Sequence, residues 1–124
     1  MRYTLFLHYP EMSEEQLGRE ALEAGMEAFR AYAEALDEAG VLRSAEVLQP
    51  STASTTVTAR DGALHVQDGP FADTKDQIGG SFVIEVDGLD EALDWAGRAP
   101  SATWGAVEVR PAAVRFVDGS WRPA

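Results

Sequence analysis

The chain has 124 residues, a mass of 13.4 kDa and a net charge of −11, the size of one domain. Ten Lys and Arg stand against 21 Asp and Glu, and the cations are scattered, so direct binding to nucleic acid or to an anionic membrane is disfavoured. There is no cysteine, which excludes disulfides, cysteine–zinc sites and thiol nucleophiles. No apolar run of roughly 18 residues occurs and the N-terminus lacks a basic stretch followed by an apolar one, so an unexported, cytoplasmic protein is expected.

Arg2 to Tyr9 reads as a first strand, with Thr4, Phe6 and His8 alternating against Tyr3, Leu5 and Leu7. Ser13 opens a helix. Ser13 and Gln16 make a capping-box pattern, and Glu14 and Glu15 suit the positive end of the helix dipole. Leu22, Met26, Phe29, Ala33 and Leu36 recur at helical spacing, and Gly40 supplies a left-handed C-cap. Gly18 and Gly25 weaken this helix by up to ~1 kcal/mol each relative to Ala, which predicts a bend or an uneven first half. Val41 to Leu48 is a second strand, ended by Pro50. Thr55 to Arg60 and Ala63 to Gln67 then flank Asp61-Gly62, a strong two-residue hairpin signal.

A loop from Asp68 to Gly80 leads into a strand in which Phe82, Ile84 and Val86 alternate with Ser81, Val83 and Glu85. Leu89, Ala92, Leu93 and Ala96 line one face of a short helix that Pro100 prevents from continuing easily. Ala106 to Arg110 is the last core strand. Ala113 to Trp121 is a tail that extends or turns back at Asp118-Gly119, so the single domain spans 1–124 with its core ending near 117. The order β-α-β, inserted hairpin, β-α-β matches the ferredoxin-like double βαβ unit, an α+β fold with a mainly antiparallel sheet and both helices on one face. The other face needs cover. Some of Phe6, Val83, Val107 and Phe116 are available for it, and a second subunit packing sheet against sheet supplies it, so a homodimer is expected.

Four stretches together resemble a known family: LQPSTASTTV from Leu48, DGPFADTKDQIGGSFVIEV from Asp68, LDEALDWA from Leu89 and GAVEVRP from Gly105. They look like the DGPF branch of the YCII-related family, over residues 1 to about 117. The resemblance implies a dimeric α+β barrel and implies little about activity. It associates some relatives with extracytoplasmic-function sigma factors, so a sigma-factor association is a possibility of context only. The wider family is suspected of catalysis through a His on the first helix and an Asp after the second. Phe29 and Ala99 stand at the matching places here, and neither transfers a proton. Relatives also tend to carry Tyr where this chain has His8.

The residues themselves offer a modest set of candidates. In the loop, Asp68 suits an Asx turn, Gly69 permits positive φ, Pro70 fixes its own φ, and Phe71 is read as a buried anchor. Residues 72–77 can make one helical turn, with Asp73 and Asp76 exposed, while Gly79 and Gly80 allow a close backbone approach. All of this makes sense as a structural corner, yet Lys75 and the loop carboxylates also sit where functional groups are often found. His8 is the best candidate for proton transfer if a carboxylate orients it, with Asp68 as a second possible base; a hydrogen-bonded structural histidine is the plainer alternative. His65 is read as facing solvent. Arg110 can clamp a carboxylate, or it pairs with a neighbour of Glu108 or with Asp68. Thr55 and Thr56 offer hydroxyls at the same end of the sheet. Two isolated histidines make no transition-metal motif, and nothing implies a cofactor. Three functions follow: a small-molecule-binding homodimer with a regulatory role, a cofactor-free enzyme using His8 or Asp68 on a small organic substrate, or a protein-interaction module linked to transcription. A pocket holding His8 beside a carboxylate discriminates for the enzyme.

Overall fold

The computed structural model describes residues 1–124. In chain order it contains β1 (Arg2–Pro10), α1 (Glu14–Leu17), α2 (Arg19–Glu38), β2 (Leu42–Val47), a 3-10 turn (Ser51–Ala53), β3 (Thr55–Arg60), β4 (Ala63–Asp68), β5 (Asp76–Glu85), α3 (Leu89–Gly97), α4 (Ser101–Trp104), β6 (Ala106–Pro111), β7 (Val114–Val117) and β8 (Ser120–Pro123). β1 lies between β5 and β6, antiparallel to both, and β5 pairs with β2. The order β2-β5-β1-β6 is the ferredoxin-like arrangement, here antiparallel throughout.

Alternation along the strands decides which residues form the core. Tyr3, Leu5 and Leu7 of β1 and Phe82 and Ile84 of β5 are buried on the helix side, with Tyr32 and Leu36 of α2 and Ala92 and Ala96 of α3. Burying each large apolar side chain contributes about 1.5–3 kcal/mol. Thr4, Phe6, His8, Ser81 and Val83 point the other way, onto a sheet face that no helix covers, and are only partly buried.

The capping signals act as the sequence requires. Gln16 N–H donates to Ser13 Oγ at 3.1 Å, and Ser13 N–H donates to Gln16 Oε1 at 2.9 Å. The helix then breaks at Gly18, whose φ of 91° is left-handed territory, and restarts at Arg19. At the far end Gly40 adopts φ 76° and Val41 N–H reaches Leu36 O at 3.1 Å, closing the helix by a six-to-one bond. The apolar stripe is rotated from the expected one. Gly25, Phe29, Tyr32 and Leu36 face inward, and Met26 is exposed, because Trp104 Cη2 would meet a Gly25 Cβ at 3.5 Å and fills that groove.

β5 carries a bulge. Leu7 opposes Gly80 but His8 opposes Ile78, so Gly79 is an extra, unpaired residue. The ring of Tyr9 covers it, and a Cβ at Gly79 would stand 2.1 Å from Tyr9 Cζ. Gly80 is equally tight, since its Cβ would stand 2.7 Å from Glu46 O on β2. β3 and β4 form a separate two-stranded ribbon, turned by Asp61 at φ 52° and Gly62 at φ 77°, the double positive φ of a type I′ turn. Asp118 and Gly119 repeat the device in the C-terminal hairpin β7–β8, where Phe116 meets Trp121 edge-on with centroids 5.4 Å apart.

Candidate functional site

The end of β1 carries His8 onto the open sheet face, next to a cleft of about 860 Å³. The floor and walls come from three segments. Leu48–Ser51 and Ala53–Thr56 run from the end of β2 into β3, Pro70–Ala72 and Thr74 come from the Asp68–Gly80 loop, and Asp76–Ile78 open β5. Ile78 reaches this side only because of the bulge, which sets it opposite His8. The 3-10 turn is tied to the end of β1, where the Glu11 carboxylate accepts from the Ser51 N–H and hydroxyl.

His8 has the partner that proton transfer needs. Its Nε2 lies 3.2 Å from Glu108 Oε1, and the other oxygen of Glu108 accepts from Arg110. Glu108 and Arg110 are two residues apart on β6 and so share a face; Arg110 also stands 5.7 Å from the centroid of Phe6. Arg110, and after it His8, hold the Glu108 carboxyl below the usual carboxylate range. An ionised Glu108 orients the imidazole, and with Nε2–H donated to it, Nδ1 is the ring nitrogen that keeps a lone pair.

The structure thus brings His8, Thr55, Thr56, Pro70 and Phe71 to one cleft and links Arg110 to it through Glu108. Arg110 pairs with Glu108 itself, rather than with a neighbour of Glu108 or with Asp68, because period two puts the pair side by side on one strand. Asp68 ends β4 opposite Thr55, is exposed, and does not line the cleft. Its carboxylate accepts no backbone N–H, so the Asx turn is replaced by backbone bonds: Gly69 N–H to Ser54 O at 2.8 Å, and Thr56 Oγ1 to Gly69 O at 2.8 Å. Gly69 adopts φ 103° at this corner. Lys75 is exposed, outside the cleft wall, and makes no ion pair.

Phe71 corrects the sequence reading. Its side chain is not an anchor but 85 % exposed, since the backbone bonds at Gly69 hold the corner and leave the ring free to project. Residues 72–77 form no helical turn; Asp76 and Gln77 already belong to β5. Val107 also turns out to face the helices, beside Leu7, rather than the open face. The signal missed in the sequence was Glu108, which lies 100 positions from His8 and meets it only once β1 and β6 are in register.

The two positions matched to the family's suspected pair are packing sites. Phe29 lies 5.8 Å from Tyr9 and 5.6 Å from Trp104 between centroids, and Tyr9 lies 6.4 Å from Trp104. Tyr9 donates to Gly79 O at 3.2 Å; burial, and then the Glu11 carboxylate, push its hydroxyl pKa up. Ala99 is buried.

Comparison with known proteins agrees with this architecture. The sequence is 36% identical over 116 residues to an uncharacterized protein of Rhizobium meliloti, covering 92% of this chain and 94% of that one. The fold is similar to that of the 5-chloro-2-hydroxyhydroquinone dehydrochlorinase of Burkholderia phenoliruptrix, solved in complex with 2,5-dihydroxybenzoquinone. That likeness has a TM-score of 0.50 and 16% identity over 90% of this chain and 93% of the other, and it speaks to fold alone. Residues 1–114 match the YCII-related domain, and with this match and the Rhizobium relative the chain belongs to the YCII-related family.

Proposed function

We propose that this protein binds a small organic molecule in the cleft beside His8 and that His8 exchanges a proton with it. The observation that carries the reading is the 3.2 Å contact between His8 Nε2 and Glu108 Oε1 at the cleft wall. The carboxylate fixes the ring and stabilises the imidazolium formed when the free nitrogen takes a proton, the arrangement a general base requires. The hydroxyls of Ser51, Ser54 and Thr55 and the amides of Gln49 and Gln77 give a hydroxylated ligand partners, and Leu48, Ile78 and Phe71 give it apolar walls. The working unit is a homodimer in this reading, because Phe6 and Val83 on the open sheet face have no helix to cover them. A regulatory binder uses the same cleft without the proton transfer.

The test uses histidine-detected NMR, in which the two histidines give two signals. The probes are 2,5-dihydroxybenzoquinone, the molecule bound by the structural neighbour, and a panel of small phenols and keto acids. A binding probe shifts the His8 signal, and any turnover falls by about 10²–10⁴-fold in His8→Gln, as loss of a positioned general base requires. Unmoved His8 signals across the panel, or full turnover in His8→Gln, removes the reading. Light scattering after gel filtration should report twice 13.4 kDa for the dimer.

A second reading has its own observation. On one face of the β3–β4 ribbon, Val57, Leu64 and Val66 are 56%, 71% and 67% exposed, an apolar surface suited to a protein partner.

A further inference from the structure

The opposite face of that ribbon is polar, and it forms a cavity of its own. Register sets Thr56 opposite Gln67 and Thr58 opposite His65, with Arg60 one step further toward the turn. These five side chains and the ring of Phe71 line a recess of about 330 Å³. Every one of the five carries a hydrogen-bond donor, that of Thr56 being committed to Gly69 O, and none is a carboxylate. The side chains of Arg60, Thr58 and His65 make no hydrogen bond or ion pair within the chain, although 21 acidic residues are available to them. A free guanidinium beside a free imidazole, in a chain of net charge −11, is a local reversal of sign. The projecting phenyl ring completes the recess with a flat apolar wall.

We infer that this recess is a binding site for a small aromatic carboxylate. Arg60 presents a planar fork that matches a carboxylate bidentately. His65 and Thr58, paired across the two strands, supply further donors at the same end. The ring of the ligand stacks against Phe71, whose exposure otherwise leaves a large apolar surface in water. From Thr56 to Arg60 the strand runs four residues, roughly 13 Å at the usual rise, which suits an arylpropenoate-sized molecule once the side chains lean inward. The site shares only Thr56 and Phe71 with the His8 cleft; Thr58, Arg60, His65 and Gln67 belong to the recess alone.

The experiment titrates the full chain with trans-cinnamate, its neutral counterpart cinnamamide, and inorganic phosphate, followed by the same histidine-detected NMR and by calorimetry. Cinnamate should shift the His65 signal and leave His8 in place, so the outcome is independent of the reading of the larger cleft. The amide should bind at least tenfold more weakly, because it lacks the charge that Arg60 recognises. Arg60→Gln should weaken cinnamate at least tenfold, and Phe71→Ala should weaken cinnamate but not phosphate. Both positions are exposed, so circular dichroism should show the wild-type fold. An unmoved His65 signal, equal binding of acid and amide, or wild-type affinity in Arg60→Gln overturns the assignment.

Discussion

Replacing Gly79 by Ala tests the packing beneath the cleft. Gly79 has no positive φ, so its backbone accepts an alanine without strain. The obstacle is the Tyr9 ring. The new Cβ would lie 2.1 Å from Tyr9 Cζ and 2.2 Å from its hydroxyl oxygen, where ordinary contact requires about 3.5–4.0 Å. The ring must retreat by about 1.5 Å, and Phe29 and Trp104 stand in the way. Overpacking of this kind costs about 1–3 kcal/mol. Losing the hydrogen bond from Tyr9 to Gly79 O adds about 1 kcal/mol. Gly79→Ala should therefore destabilise the protein by about 2–4 kcal/mol. In a Tyr9→Ala background the clash disappears, and the same change should be near neutral or slightly favourable, because glycine inside a strand is itself unfavourable by about 0.5–1 kcal/mol. Urea unfolding of the four proteins gives the coupling directly. If Gly79→Ala costs the same within about 0.5 kcal/mol in both backgrounds, Tyr9 is not what excludes a side chain there.

Three further outcomes follow from the same structure. Phe71→Ala should change stability by no more than about 0.5 kcal/mol by chemical denaturation, since its exposed ring makes it a surface position; a loss of about 3–5 kcal/mol would mean that the ring is buried in solution. Gly62→Val places a β-branched residue at φ 77° and should speed hydrogen exchange throughout β3 and β4, whereas His65→Gln on the ribbon's surface should leave that exchange unchanged. Burial pushes the Tyr32 hydroxyl up to about 12, against an ordinary value near 10, while it donates to Trp95 O at 2.7 Å. The unfolded chain releases this proton first, so stability is intact below pH ~10 and falls as pH rises toward ~12; Tyr32→Phe should flatten that decline in pH-dependent urea midpoints.

Local rules made much of this fold legible. The capping box at Ser13, the C-cap at Gly40 and the turn at Asp61-Gly62 each depend on a few adjacent residues, and each forms in the structure. The ferredoxin-like architecture followed from the order of elements along the chain. Features that depend on distant partners were hidden. Met26 fits the helical period, but Gly25 is the residue that Trp104 reaches. Phe71 carried the hydrophobicity of a core residue, and only the backbone bonds at Gly69 explain why the corner does not need its ring. The His8–Glu108 contact requires the register of β1 against β6, a relation no local window contains.

The bulge at Gly79 means that strand register, not residue identity, selects what faces the cleft. Counting back from Phe82 by twos, Gly80 and then Ile78 fall on the helix side; the one unpaired residue reverses that parity. Ile78 thereby becomes cleft wall, and Gln77 comes to oppose Tyr9. Were Gly79 instead to pair with His8 in a regular ladder, Ile78 would move opposite Tyr9 and its side chain would turn toward the aromatic cluster. A relative of the same length whose ladder runs on here without a bulge would then present a differently lined cleft on an otherwise unchanged sheet.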